Sequence, residues 1–369
     1  MSKARQLADL GNQVDDGAIT GSNMIINGAM RVSQRSTSES VSTSDGYKTL
    51  DRFQYNEMGS YTGVHTMSQD TTGPSGFTNS LKFLTTTADS SLSSTDGFSL
   101  RYRVEAQDLQ RLGYGTSDAK SCTLSFYVKS NVTGTYTIHI QQPDAGKALG
   151  VSYTVDAANT WELKTLTFVG NTSDVINNDT GIGMFFQWGL ATGPDWTSGT
   201  LRSTWTTTSN GDYHAGQTAN VGSAVNNYWQ ITGVCLNVGD SAIDFPHESY
   251  AETLAKCQRY FYAHLSAPVG NEASICTSAN YSSLKTYGTI NFPVTMRSAP
   301  SLGAYSASGA WAIYYNNTSS LFTALAQINV TPKTTLVFNN DDVGVTQGNA
   351  ANLQAKNTTN CYVHFDAEL

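Results

Sequence analysis

Period-two hydrophobicity broken at hairpin-length intervals constrains this chain more than any other feature. In CTLSFYVKS, Cys122, Leu124, Phe126 and Val128 fall on one side and Thr123, Ser125, Tyr127 and Lys129 on the other. GTYTIHI repeats the pattern with Tyr136, Ile138 and Ile140, and SNVTG between them has the length of a hairpin loop. FSLRYRV (Phe98, Leu100, Tyr102, Val104) and GIGMFFQW (Ile182, Met184, Phe186, Trp188) continue it. Such runs predict antiparallel strands with one face buried and the other wet. Their number and long connections predict a two-sheet jelly roll. The expected class is therefore all-β: an antiparallel β-sandwich, a smaller C-terminal β-domain, and a short N-terminal helical leader.

Composition agrees. Charged residues are 14%, against roughly 25% in an ordinary domain, and 32 Gly and 19 Tyr mark a chain of strands and turns. The net charge is −8 and no Lys/Arg cluster occurs, so neither nucleic acid nor an anionic membrane surface is expected as a partner. No apolar run approaches the ~18 residues of a membrane span, so no membrane insertion is expected. MSKARQLADLGNQV lacks the apolar segment of a signal peptide, and assembly in a reducing cytoplasm is expected. Cys122, Cys235, Cys257, Cys276 and Cys361 never form a CxxC pair. They suggest neither a disulfide framework nor a zinc site, but reduced, mostly buried thiols.

Three segments follow. Residues 1–22 carry Ala4, Leu7, Ala8 and Leu10 at helical spacing, a piece too short to be stable alone. Residues 23–262 hold the jelly roll. Within it WELKTLTF slips face between Leu163 and Leu166, which predicts a bulge. It ends in a short helix, where Ser249 and Glu252 form an S-x-x-E capping box and Tyr250, Leu254 and Cys257 share a face. Residues 263–369 form the second β-domain, with strands expected in YGTINFPVTM, WAIYY, LAQINV, TTLVF and CYVHFDAEL. No fixed repeat is present, against a parallel β-helix.

Taken in order, NMIINGAMRVSQR, GYKTLDRF, YWQITGVCLNVGDSAIDFPHESYAETLAKCQRYF, FPVTMRSAPS and FDAEL resemble a group of bacteriophage virion proteins of the tail-fibre or head-fibre type. SKARQLADL resembles the short virion-attachment leader of such proteins. The matches run from residue 2 to residue 369; Cys235 and Asn237 stand where the pattern more often has Gln and Glu. The resemblance implies a central domain similar to jelly-roll carbohydrate-binding modules. It also implies a homotrimer on the virion, attached to other virion proteins through the leader and binding a host-surface polysaccharide or receptor. A head-decoration or tail-attachment protein that binds only other virion proteins is the alternative.

No enzymatic constellation is present. There is no G-x-S-x-G, no H-E-x-x-H and no phosphate loop, and the acids are dispersed, so a polysaccharide depolymerase is the least favoured reading and no catalysis is expected. No cofactor is called for beyond a structural calcium ion, for which Asp45, Asp240 and Asp244 are the candidates. Asn27, Gln34, Arg35, Asp51 and Arg52 read as a structural polar network at the sandwich edge. The long connection from Gly189 to Asn227 is a candidate contact surface, because its Trp196, Trp205, Tyr213 and His214 offer rings to sugars or a receptor. Trp311 and Tyr314 are the rival surface in the second domain.

Overall fold

The structure, a computed structural model, describes residues 23–266, 272–356 and 359–369; the expected leader helix lies outside them. The chain divides into two compact units. One ends at Thr253 and also takes in Leu369, and the other runs from Leu254 to Glu368.

The strands of the first unit are β1 (Ser38–Val41), β2 (Gly46–Tyr47), β3 (Phe53–Met58), β4 (Val64–Asp70), β5 (Ser80–Thr87), β6 (Gly97–Glu105), β7 (Cys122–Ser130), β8 (Gly134–Gln142), β9 (Lys147–Val155), β10 (Glu162–Phe168), β11 (Ile182–Thr192), β12 (Thr206–Thr207) and β13 (Tyr228–Val238). They form two sheets, in the orders β1-β4-β5-β13-β7-β10 and β12-β9-β8-β11-β6-β3-β2. All their pairings are antiparallel. The inward residues of the two sheets meet in one core. Phe126 of β7 lies edge-on to Trp188 of β11 at 6.1 Å, and Phe83 of β5 edge-on to Phe98 of β6 at 5.7 Å. Trp188, Trp229, Phe53, Phe83 and Phe98 are fully buried. The all-β sandwich expected from the alternation is the fold observed.

Three local expectations are corrected. β10 has no bulge: its pairing with β7 is unbroken from Glu162 to Phe168. Leu163 simply faces out, 56% exposed, because the opposite side of the strand carries Lys164. The Lys164 ammonium sits 2.6 Å from Glu162 and 3.2 Å from Asp156, so a charged side chain occupies an apolar phase of the pattern. The second correction concerns the wet face. Ser99, Thr137, His139 and Gln187 point away from the core, yet all are buried. The third is in the helix Tyr250–Gln258, where Thr253 and Cys257 are buried but Tyr250 is 48% exposed. The capping box itself forms: Glu252 N–H donates to Ser249 Oγ at 3.2 Å, and Ser249 N–H to Glu252 Oε2 at 2.9 Å.

The second unit contains β14 (Phe261–Leu265), β15 (Ala273–Asn280), β16 (Thr286–Asn291), β17 (Ser301–Ala304), β18 (Trp311–Tyr315), β19 (Thr318–Phe322), β20 (Leu325–Ile328), β21 (Thr334–Asn339), β22 (Ala350–Ala355) and β23 (Val363–Asp366). They form a three-stranded sheet, β14-β23-β17, and a seven-stranded sheet, β19-β18-β22-β15-β16-β21-β20. Trp311, Ile313, Val337, Leu353 and Phe365 are fully buried in its core. All five cysteines are free, and all but Cys276 are buried. No helix among the described residues is long and apolar enough to cross a membrane.

Candidate ligand-binding face

The expected polar network is assembled around two short segments. Asn27 has a left-handed backbone (φ 62°), which its short side chain tolerates. Its Oδ1 accepts Arg31 N–H at 3.0 Å and Val32 N–H at 2.9 Å, and its Nδ2 donates to the carbonyls of Val32 (2.8 Å) and Asp51 (3.1 Å). The fully buried Asp51 carboxylate accepts Gln34 N–H at 3.0 Å and Gln34 Nε2, with Arg35 at 3.9 Å. Arg52 donates to the Arg103 carbonyl at 2.7 Å and lies over the Tyr102 ring. Gly28 is needed here, since a Cβ would collide with the Val234 carbonyl. This group satisfies backbone at the end of the sheets. It borders a cleft of about 340 Å³ lined by Asn23, Arg31, Phe245, His247 and Glu248.

A different group occupies the outward face of the seven-stranded sheet. Register places Gln54 of β3 opposite Arg101 of β6, Arg101 opposite Gln187 of β11, Gln187 opposite His139 of β8, and His139 opposite Gly150 of β9. A second row runs through Arg103, Phe185 and Gln141. Gln187 Oε1 accepts Arg101 Nη2 at 2.7 Å and Nε at 3.1 Å, and the Arg101 guanidinium lies 5.1 Å from the Phe185 ring. Arg101, Arg103, Phe185 and Gln141 remain half-buried and reachable.

The long connection explains why the other half of this face is dry. It is not structureless: it contains helix α1 (Pro194–Thr197), the edge strand β12 and tight turns. Asp212 holds it together, accepting Thr200 N–H at 2.7 Å and pairing with Arg202 at 3.1 Å. The Thr200 N–H, ahead of Arg202, keeps its carboxyl below the usual range. Tyr213 stacks on His139, with centroids 3.7 Å apart, and donates to Gln141 Oε1 at 3.2 Å. Trp196 donates to the Thr95 carbonyl at 2.6 Å and meets Tyr213 edge-on at 5.4 Å. His214 lies 3.0 Å from Thr137 Oγ1, over Gly189. Burial lowers the His139 pKa to about 4 and that of His214 to about 3, so both rings are neutral. Burial, then the like charge of Arg103, lowers Arg101 to about 10, and it stays cationic. Between connection and sheet lies a cleft of about 210 Å³ lined by His139, Gly150, Arg202, Thr207 and Asp212.

Of the residues singled out from sequence, then, Trp196 and Tyr213 come together at the rim of one polar face. Trp205 goes elsewhere: it donates to the Val169 carbonyl at 2.8 Å and packs on Tyr114 and Phe168. His214 and Trp311 are fully buried and present nothing to a ligand; Trp311 instead donates to the Tyr305 carbonyl at 2.8 Å inside the second core. Tyr314 is exposed. Asp45, Asp240 and Asp244 do not form one ligand set, as no three His, Cys, Asp or Glu side chains among the described residues are grouped to hold a metal. Asp45 accepts Glu57 N–H at 2.6 Å. Burial, then Asp45 and Asp96, raises the Glu57 carboxyl above its ordinary value. Arg101, Gln187, Gln141, His139, Phe185 and Glu57 were not singled out from sequence. The first five lie on the outward phase of strands whose other phase is core, which was their one signal; Glu57 ends the core phase of β3, opposite Phe98.

Gly189→Ala is expected to prise the connection off the sheet, since the new Cβ would stand 2.6 Å from His214 Nδ1. Overpacking of this kind costs about 1–3 kcal/mol. Faster limited proteolysis within residues 198–212, together with a lower melting temperature, is the expected readout; unchanged cleavage would show that the contact does not hold the connection down.

No protein-family model matches the sequence, and no curated protein matches it. Solved structures similar to it include the enzymatically active domain of tailspike protein 4 from bacteriophage CBA120, at 10% identity and a TM-score of 0.32, over 58% of this chain and 21% of that one. The chain thus spans about a fifth of the tailspike domain's length. TmCBM61 in complex with β-1,4-galactotriose is similar at 10% identity and a TM-score of 0.27, over 58% of this chain and 98% of that one. The N-terminal CBM22 tandem domain from Paenibacillus barcinonensis is similar at 10% identity and a TM-score of 0.25, over 85% and 93%. Superpositions this loose leave function to be argued from the chain's own residues.

Proposed function

We propose that this chain is an exposed, homotrimeric subunit of a bacteriophage particle that binds a host-surface glycan without cleaving it. The virion assignment rests on the ordered motifs that resemble phage fibre proteins. The glycan assignment rests on the outward face built from Arg101, Gln141 and Phe185 beside Tyr213, with the buried Gln187 beneath holding the Arg101 guanidinium. The guanidinium donors of Arg101 not taken by Gln187, together with the Gln141 amide, supply partners for hydroxyls, and the rings supply an apolar surface for C–H groups. The neutral, hydrogen-bonded His139 serves to seat Tyr213. Three copies on one axis would turn weak sugar contacts into avidity.

The test is binding of labelled protein to susceptible and resistant host cells. Saturable binding to susceptible cells alone is expected, reduced about tenfold, the equivalent of ~1.4 kcal/mol, by Tyr213→Ala combined with Gln141→Ala. Equal binding to both cell types would instead favour a protein that contacts only other virion components. Light scattering should give the mass of three 39.7-kDa chains; a monomer's mass would remove the trimer.

One observation favours a second reading, hydrolysis of a glycan reaching the end of the sandwich: at the end of β3, off the outward face, the raised Glu57 carboxyl near Asp45 and Asp96 suits a general acid. Release of reducing ends from host polysaccharide, abolished by Glu57→Gln, would establish that reading in place of simple binding.

A further inference from the structure

We propose a second saccharide site, on the outward face of the seven-stranded sheet of the second unit, for a neutral pyranose ring. It stands on different residues from the first face and does not depend on it. Tyr287 of β16 and Phe338 of β21 are register partners and stack, with centroids 5.1 Å apart and planes at 26°. Tyr281, 73% exposed, meets Tyr287 edge-on at 5.4 Å. Alanines flank the pair: Ala279 is opposite Tyr287 and Ala326 opposite Phe338, with Ala350 beyond Ala279. A methyl group is too short to cover a neighbouring ring, so the aromatic cluster stands clear of the sheet beside it.

The adjacent row on the same face is polar across β18, β22 and β15 and becomes apolar at Leu336 of β21 and Ile328 of β20. Tyr314 of β18 is opposite Asn352 of β22, and Asn352 opposite Thr277 of β15. Thr277 lies two residues from Ala279, and Asn352 two from Ala350, which sets the two rows about 7 Å apart. Rings in one row and amide and hydroxyl groups in the next suit a ligand with an apolar C–H face and hydroxyls at its rim. Neither row contains a charged side chain. The ammonium of Lys285 lies 5.9 Å from the Phe338 ring, but Asp342 at 3.0 Å balances its charge and the carbonyls of Asn339 (3.3 Å) and Asn340 (2.6 Å) take its donors. The face therefore complements an uncharged ligand and not an acidic one. Exposed aromatic surface of this kind marks a contact site, and the polar row distinguishes a sugar from an apolar protein surface.

The test is affinity electrophoresis of the full chain through gels containing dextran, galactan or mannan, with alginate as the acidic control. Tyr281→Ala removes an exposed ring, and Ala279→Lys places a long charged side chain beside the platform; neither position is buried. Retardation of the parent by a neutral polysaccharide is expected to weaken about threefold to tenfold in each variant, the worth of one ring contact. Melting temperature and light-scattering mass should stay as in the parent, and Tyr213→Ala should leave this component in place. Retardation unchanged in both variants but lost in Tyr213→Ala overturns the second site and keeps the first. A fall in mass for Ala279→Lys makes the face a contact between copies of the chain and overturns the site, as does a parent retarded by none of the neutral gels.

Discussion

Lowering the pH from about 7 to about 5 is expected to destabilise the first unit by about 2 kcal/mol for each of three buried imidazoles. His65, His139 and His214 are 2% exposed or less. Burial, the leading cause for each, lowers their pKa values to about 3, 4 and 3, from an ordinary 6.5. The sign follows from which state takes up the proton. Above 6.5 the imidazoles are neutral in both the folded and the unfolded chain, and their contribution to stability is complete. As the pH falls below 6.5 the unfolded chain binds protons that the folded one refuses, so stability is lost down to about pH 3–4. His65 has no room to move, since it is enclosed by Tyr61 at 2.9 Å, Thr85 at 3.2 Å and the Phe98 ring at 3.9 Å. With three groups acting together, the melting temperature should drop by roughly 10–20 °C. Five of the six tryptophans lie in this unit, so tryptophan fluorescence follows its melting. His214→Asn should flatten part of the slope. Identical melting at the two pH values would mean that the three rings are not held neutral in the folded state.

Trp311→Ala is the substitution expected to do most damage to the second unit. Its side chain is fully buried among Ile313, Leu353 and Phe322, and its Nε1 satisfies the Tyr305 carbonyl. Truncation opens a cavity and removes that donor, for a cost of about 3–5 kcal/mol. A domain is stable by only some 5–15 kcal/mol, so partial unfolding of the second unit at moderate temperature is expected. Hydrogen exchange in β18 and β22 would report it locally. If Trp311→Ala leaves that protection intact and weakens only cell binding, the residue is a ligand contact and the burial argument fails. Tyr314, three residues on and exposed, gives the contrast: Tyr314→Ala should leave stability within about 0.5 kcal/mol of the parent.

The sequence by itself determined the strands whose alternation is strong. CTLSFYVKS and WAIYY coincide with β7 and β18, and GTYTIHI starts β8 and stops two residues short of its end. A period of two leaves little choice once one phase is Ile, Phe, Leu and Val, because only a pleated strand against a core buries that phase alone. The capping box was equally legible, since its partners lie three residues apart. Strands such as Ala273–Asn280 and Ala350–Ala355 were not, because Ser, Ala and Asn dilute their apolar phase to small residues around Ile275 and Leu353; the sheet on either side supplies the hydrogen bonds that make them strands. The network of Asn27, Gln34, Arg35 and Asp51 could be nominated because its members lie close in the chain.

Only the tertiary structure decided the candidate face. Local pattern puts His139, Gln187 and Arg101 on the polar phase of three separate strands. Long-range pairing alone makes Gln187 the neighbour of both others. The same holds for the aromatics of the long connection. Their ring chemistry is written in the sequence, but burial depends on what lies beneath. Gly189 admits His214 to the sheet, while Tyr213 one residue earlier stays at the rim. Side-chain type follows from a residue's own letter, whereas exposure is a property of the neighbours that folding brings to it.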